Sequence, residues 1–222
     1  MRLVGLALVG LLVVAGCSSE NSEQTGTSST TPSTKPPVMP TATPTATSTP
    51  TLTAAQARRL GLRAVAALKR DDPAAALALV ERGADVNVQD DLQDSVFLYA
   101  GAEGYVDVVR AALRNGADVR STNRYGGTAL IPASEHAHLD VIRVLLATDI
   151  EVDHVNDLGW TALGEAVGLG NGGPDSQEAV RLLLAAGADP AVRDRFGRTV
   201  LQNAERRGFD QIARQIRAAL AR

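Results

Sequence analysis

Gly83-Ala84-Asp85-Val86 returns as Gly116-Ala117-Asp118-Val119 after 33 residues, in altered form as Asp149-Ile150-Glu151-Val152 after another 33, and as Gly187-Ala188-Asp189-Pro190 after 38. A second marker keeps the same steps. Ser95, Thr128, Thr161 and Thr199 each precede a short apolar run: Val96-Phe97-Leu98, Ala129-Leu130-Ile131, Ala162-Leu163 and Val200-Leu201. A hydroxyl there can accept from the free N–H groups that open a helix. The threonines close the patterns Asn123-x-x-Gly126-x-Thr128, Asn156-x-x-Gly159-x-Thr161 and Asp194-x-x-Gly197-x-Thr199, where Asn or Asp and Gly suit a tight turn with positive φ. The third marker is apolar: Val109, Ala112 and Leu113 correspond to Ile142, Leu145 and Leu146, and to Val180, Leu183 and Leu184, on one helical face. Each unit of turn, short helix, turn and longer helix cannot bury its apolar face alone and must stack on its neighbours.

With all three markers in step, the pattern resembles the ankyrin repeat. The resemblance implies an all-α solenoid of about five helix-turn-helix repeats with short β-hairpin fingers, over residues 54–88, 90–121, 123–154, 156–192 and 194–222. The first unit lacks the turn signature and the last ends in the arginine-bearing helix Gln211 to Arg222, so both read as caps on the stack. The stretches Gly126 to Ala133 and Asp153 to Leu163 are also similar to a bacterial ankyrin subgroup. Three departures stand out. Gln93 replaces a turn glycine and must bend differently or carry strain. Pro132 falls in the first turn of a helix, where only an early hydrogen bond is lost. Asp149-Ile150 replaces Gly-Ala, which leaves the third hairpin the least regular.

Ahead of the repeats, Met1-Arg2 and the apolar run Leu3 to Val14 read as a secretory signal, too short to span a bilayer as a mature helix. Val14-Ala15-Gly16-Cys17 resembles the bacterial lipobox, which implies a signal peptide over 1–16 and a lipid on Cys17, with an ordinary signal peptide as the alternative. Cys17 is the single cysteine, so its modification would leave no thiol for disulfides, thiolate metal sites or nucleophilic catalysis. Residues 17–53 hold six of the ten prolines among repeated Ser and Thr, and such a segment cannot offset its ordering entropy by burial. It is expected to be a disordered tether reaching on the order of 100 Å when extended, either a plain spacer or an O-glycosylated stalk. The implied location is extracytoplasmic, on a lipid anchor.

Net charge is −3, without a single-sign excess that would drive binding to nucleic acid or to anionic lipid. Gly168-Leu169-Gly170-Asn171-Gly172-Gly173 matches G-x-G-x-x-G, but it follows a helix pattern, contains a five-residue insertion and is closed by Pro174, so a turn between helices is the better reading. His136, His138 and His154 fall at opposite ends of a repeat, and His138 sits where ankyrins carry a structural histidine, so no metal is expected. No serine occupies a nucleophile elbow, and no paired carboxylates are expected in a deep pocket. Neither catalysis nor a cofactor has a visible seat. A small-ligand site at the Gly168–Pro174 loop with Glu135, His136 or Glu165 is the remaining alternative to protein binding.

Since the resemblance implies binding through hairpin tips and inner helices, the residues there are the candidate contacts. One column reads Leu92, Tyr125, Leu158 and Phe196, and the next variable column reads Asp94, Gly127, Trp160 and Arg198. Apolar residues in register form either an exposed stripe with aromatic anchors or packing between neighbouring hairpins. Asp91, Asp94 and Glu103 sit early and Arg195, Arg198 and Arg206 late, with Arg124, His136 and Asp157 between, so the surface is expected to run from acidic to basic. Such a gradient orients a partner and speeds encounter. The partner implied is another exported or envelope protein, with an extracytoplasmic enzyme that the chain assists as the alternative; composition leaves its own oligomeric state open.

Overall fold

The computed structural model describes residues 52–221; Cys17, the signal segment and nearly all of the tether lie outside the described residues. Helix follows helix in pairs: α1 (Ala54–Leu68) with α2 (Pro73–Glu81), α3 (Val96–Glu103) with α4 (Val106–Arg114), α5 (Leu130–Glu135) with α6 (Leu139–Leu146), α7 (Ala162–Gly168) with α8 (Pro174–Ala185), and α9 (Val200–Arg206) with α10 (Asp210–Leu220). The odd-numbered helices pack on one another as an inner row and the even-numbered ones as an outer row.

Chain order gives each helix its start. Thr53 opens α1 with a capping box, its hydroxyl accepting from Gln56 N–H while the Gln56 side chain accepts from Thr53 N–H, so the expected end of the tether is itself a helix cap. Ser95, Thr161 and Thr199 cap α3, α7 and α9 through the N–H groups of Leu98, Gly164 and Gln202. Thr128 departs from the expected pattern. In the other repeats the cap carbonyl accepts from the residue four on, from Tyr99, Glu165 and Asn203, but Pro132 has no N–H at that place. Ile131 N–H bonds the Thr128 carbonyl instead, at 3.2 Å, and the buried Thr128 hydroxyl has no hydrogen-bond partner among the described residues. Pro132 therefore shortens the first turn as well as removing one bond.

Apolar residues from both rows meet in one continuous core. Leu68, Phe97, Leu130, Ile131, Ile142, Leu145, Leu163, Leu183, Ile212 and Ile216 are among its fully buried large side chains, each contributing about 1.5–3 kcal/mol by burial. Alanines at Ala64, Ala100, Ala112, Ala133 and Ala166 let neighbouring helices approach closely. At the last repeat α10 buries Ile212, Ala213 and Ile216 on one side and exposes Arg214 and Arg217 on the other, as a solenoid end requires.

The fingers are turns without strands. Among the described residues no strand forms, and one isolated antiparallel bridge joins Arg193 to Thr199. The physical reason is length: each tip closes over five residues on two main-chain bonds, as Asn123 N–H to Gly127 O at 2.9 Å and Gly126 N–H to Asn123 O at 2.9 Å. Adjacent tips touch through single bonds such as Asp157 N–H to Tyr125 O at 2.9 Å, too few for a ladder. The third repeat also resolves its lost glycine. Gly83, Gly116 and Gly187 end their helices at positive φ. At Asp149-Ile150 the Thr148 hydroxyl takes over, donating to Leu145 O at 2.6 Å and accepting from Ile150 N–H at 3.3 Å.

Candidate functional site

All four tips are built the same way, and this uniformity presents the first candidate column. The side-chain oxygens of Asp90, Asn123, Asn156 and Asp194 each accept from the backbone N–H groups two and four residues on. The residue three on is left-handed in every case: Gln93, Gly126, Gly159 and Gly197, with φ of 59°, 69°, 80° and 75°. Between these anchors the side chain two on is pushed outward. Leu92, Tyr125, Leu158 and Phe196 are 56%, 48%, 40% and 60% exposed, so the row is open to solvent. Cations lie on its rings: the Arg124 guanidinium is 4.9 Å from the Tyr125 centroid, and Arg195 and Arg198 are 4.9 and 4.6 Å from that of Phe196.

The second column behaves differently. Asp94 is buried, with Lys69 Nζ at 2.7 Å and Arg124 at 3.3 Å, so it is not an open acidic contact. Lys69 also reaches Asp90 at 2.7 Å. Burial pushes the Lys69 ammonium down, yet its hydrogen bonds to Asp90 and Asp94 outweigh this and hold it above its ordinary value. Trp160 is half-buried, and its six-membered ring covers Gly164 and Gly168, where a β-carbon would come within 3.1 and 2.7 Å of it. Arg198 is tied to Asp194 at 3.2 Å. The gradient expected from the sequence is thus reduced to its exposed members, Asp91 and Glu103 at one end and Arg195 and Arg206 at the other. Asp157 is exposed at the third tip beside Gly126.

Below the tips, the inner helices enclose a cavity of about 320 Å³, lined from α3 by Leu98, Tyr99 and Glu103, from α5 and its end by Ile131, Pro132, Glu135 and His136, and from α7 by Glu165, with Arg124, Tyr125, Asn156 and Leu158 from the tips. This overturns one expectation: Glu135 and Glu165 do meet at a pocket. Glu165 is 6% exposed. Burial, then the nearby Glu135 charge, pushes its carboxyl up to about 7, against a hydrogen bond from Asn156 Nδ2 at 2.8 Å. His136 lies at the rim with Nδ1 3.2 Å from Ala102 O. Sequence reasoning passed over Lys69, Tyr99, Asn156 and the pairing of the two glutamates.

The glycine-rich loop is filled by its own protein. The matched stretch follows α7, not a strand, and α8 starts at Pro174. Phe209 packs on Gly172, whose positive φ and missing side chain make room for the ring. Arg207 donates to the carbonyls of Val167 and Gly168, so it braces the loop. His154 Nε2 is 2.7 Å from Gly126 O, and the half-buried His138 lies against Gly104. Among the described residues no group of three or more His, Cys, Asp or Glu is placed to hold a metal ion.

A stack of helix pairs with turn-built fingers over a lined inner groove defines a repeat solenoid of the binding type. A family model described as ankyrin repeats (3 copies) matches residues 64–156 and 97–194, together more than half of the chain, which belongs to the ankyrin-repeat family. It is similar to a crystal structure of an ankyrin repeat domain from Acinetobacter baumannii AYE, with 51% identity and a TM-score of 0.67 over 70% of this chain and 80% of that one. The ankyrin repeat protein EF0377 is similar at 41% identity and a TM-score of 0.64, over 68% and 77% of the two chains. The putative ankyrin repeat protein YahD of Escherichia coli K12 is 46% identical over 55 residues, 25% of this chain, and the chain spans only 27% of that curated relative. Ankyrin repeats are protein–protein interaction modules and typically carry no catalytic activity.

Proposed function

We propose that this protein is a membrane-tethered binding module, held on the extracytoplasmic side by a lipid on Cys17 and a Ser/Thr/Pro-rich tether, that binds an exported or cell-envelope protein. The observation that carries the binding part is the exposed row Leu92, Tyr125, Leu158 and Phe196 beside the inner-helix cavity. Apolar and aromatic side chains held outward on rigid turns bring contact area at low ordering cost. The anchoring part rests on Val14-Ala15-Gly16-Cys17 after an apolar run. An accessory role toward an extracytoplasmic enzyme is one form of this function. The occupied Gly168–Pro174 loop gives no support to a nucleotide or small ligand there.

The test places photo-reactive residues at Tyr125, Leu158 and Phe196 in intact cells, with controls on the outer helices at Arg110 and Arg143, and follows alkyne-lipid labelling of the chain and of Cys17→Ser. Capture of one protein from the row but not the outer face, with label lost in Cys17→Ser, is the expected result. Equal capture at all five positions would overturn the binding face. Label retained in Cys17→Ser would overturn the anchor.

A further inference from the structure

The inner-helix cavity has an unbalanced chemistry. Four carboxylates line it, those of Asp94, Glu103, Glu135 and Glu165, against one arginine, Arg124. Arg124 and Asp94 are paired with each other at 3.3 Å, and Lys69 also holds Asp94, which leaves Glu103, Glu135 and Glu165 uncompensated by any strong cation that lines the cavity. Glu165 carries the second, independent observation. A buried carboxylate ordinarily takes several donors over its two oxygens. Among the described residues Glu165 Oε1 accepts from Asn156, and the carboxyl's other side-chain partner is a second acid, Glu135, which leaves two carboxyls in contact with no cation between them. The other Glu165 oxygen belongs to a side chain more than nine-tenths buried that lines the cavity. Nothing in the fold requires an acid there, since the same place in the other repeats holds Tyr99, Pro132 and Asn203.

We propose that this cavity seats one arginine side chain of the bound protein, with the guanidinium bridging the Glu135 and Glu165 carboxylates and the aliphatic stem against the apolar wall. The proposal rests on the protein-binding reading above and supplies the partner's chemistry. A guanidinium is planar, is less strongly hydrated than an ammonium and carries a fork of donors that serves two carboxylate oxygens at once. Leu98, Ile131, Pro132 and Leu158 offer the methylene stem an apolar contact. A volume near 320 Å³ is at the small end of ligand pockets and suits one extended side chain. The open row of Leu92, Tyr125, Leu158 and Phe196 continues from the same rim, so the chain that inserts the arginine lies along the tips. The groups facing Glu165 are Glu135 and His136 from α5 and its end and Asn156 from its own tip, with Glu103 of α3 lining the same space. Raising pH ionises Glu165, which favours a bound cation.

The experiment titrates the full chain, with labelled glutamate carboxyl carbons, with Nα-acetyl-arginine methylamide followed by NMR. The corresponding citrulline and lysine derivatives, the variants Glu165→Gln and Glu135→Gln, and pH 6 and 8 are the arms. Saturable shifts of Glu135 and Glu165 with the arginine probe are expected, weakened at least tenfold in either variant and absent with citrulline, and tighter at pH 8 than at pH 6. Lysine binding as tightly as arginine would overturn the guanidinium assignment. Equal binding of citrulline, binding unaffected by Glu165→Gln, or no saturable binding at all would overturn the site. In Glu165→Gln the new amide oxygen can still accept from Asn156, and an unchanged backbone spectrum verifies that the variant is folded. Because the probe needs no partner, failure here with positive capture at the tips removes the arginine seat alone, whereas the reverse result removes the partner reading.

Discussion

Two carboxylates occupy related places in neighbouring repeats and titrate in opposite directions. In one repeat the tip residue is Asn156 and the inner-helix residue nine on is Glu165; in the next the tip is Asp194 and the helix residue is Asn203. Each pair is joined by the same kind of bond, amide to carboxylate, at 2.8 and 3.0 Å. Glu165 and Asp194 are both largely out of contact with solvent, at 6% and 8% exposure, but Glu165 is surrounded by much more protein. Yet Glu165 is pushed up to about 7, whereas Asp194 lies at about 2: burial raises it too, but hydrogen bonds from Asn203, from the Arg198 and Phe196 backbone and from the Arg198 side chain outweigh that. The depth of burial and the Glu135 charge beside Glu165, set against the donors gathered on Asp194, together decide ionisation. An acid at the tip receives the two N–H groups that the turn must satisfy anyway. When the tip carries Asn these donors go to the amide oxygen, and the acid on the helix keeps one amide donor and an acidic neighbour, Glu135.

The largest effect expected from this contrast is at Asp194. Asp194→Ala removes the acceptor of four donors and leaves the tip's N–H groups to water, so it should destabilise the native state by about 3 kcal/mol at pH 7 in urea denaturation. A loss below about 1 kcal/mol would mean that solvent serves the turn as well as the carboxylate does. The pH dependence has a definite sign. A carboxyl held at about 2, below its ordinary 3.8, contributes stability that is present above pH 3.8 and fades as pH falls toward 2, so the difference between the two proteins should shrink in acid. Glu165 should do the reverse. Its carboxyl lies at about 7 when folded and 4.5 ordinarily, so native stability falls as pH rises from 4.5 through 7. Glu165→Gln should remove that loss, leaving the variant more stable by about 1–2 kcal/mol at pH 8 and similar to the parent below about pH 4.5. A variant less stable at pH 8 would show that the buried charge is stabilising, and would place a donor on Glu165 that the structure lacks.

How much of this contrast is legible in the sequence depends on distance along the chain. The 33-residue period reads out helices, tips and the outward row, because each follows from spacing within one repeat. The burial of Asp94 does not, since it depends on Lys69 in the one repeat that lacks the turn signature. The Glu135–Glu165 approach left a faint signal: the residues are 30 apart in a 33-residue period, which sets them about one helical turn off register on adjacent inner helices. Taken one at a time along the chain they give no pair of carboxylates in a pocket; placed on neighbouring rungs they face one cavity. The strand expectation for the fingers failed for a related reason, because a family likeness carries the turn but not the number of bonds each finger can make.

The smallest effect asks whether the turn itself, and not its charge, delivers the donors. Asp90 is the second acid at a tip, where burial raises its carboxyl but Lys69 and the N–H groups of Asp94 and Leu92 hold it below its ordinary value. Its turn is made with Gln93 at φ 59°, where the other three tips use glycine. A left-handed residue with a side chain costs about 1 kcal/mol more than glycine in the same conformation. The bonds from Leu92 and Asp94 to Asp90 Oδ1, at 2.9 and 3.2 Å, nevertheless match those of the glycine tips. Gln93→Gly should therefore raise stability by about 0.5–1 kcal/mol and leave the titration of Asp90 where it is, because the geometry is already reached. If stability fell, the added freedom of glycine in the unfolded chain would outweigh the relief, and the Gln93 side chain would be stabilising the tip. If the Asp90 titration moved upward instead, the left-handed residue would be setting the donor geometry, and the tip carboxylates would owe their low values to its identity.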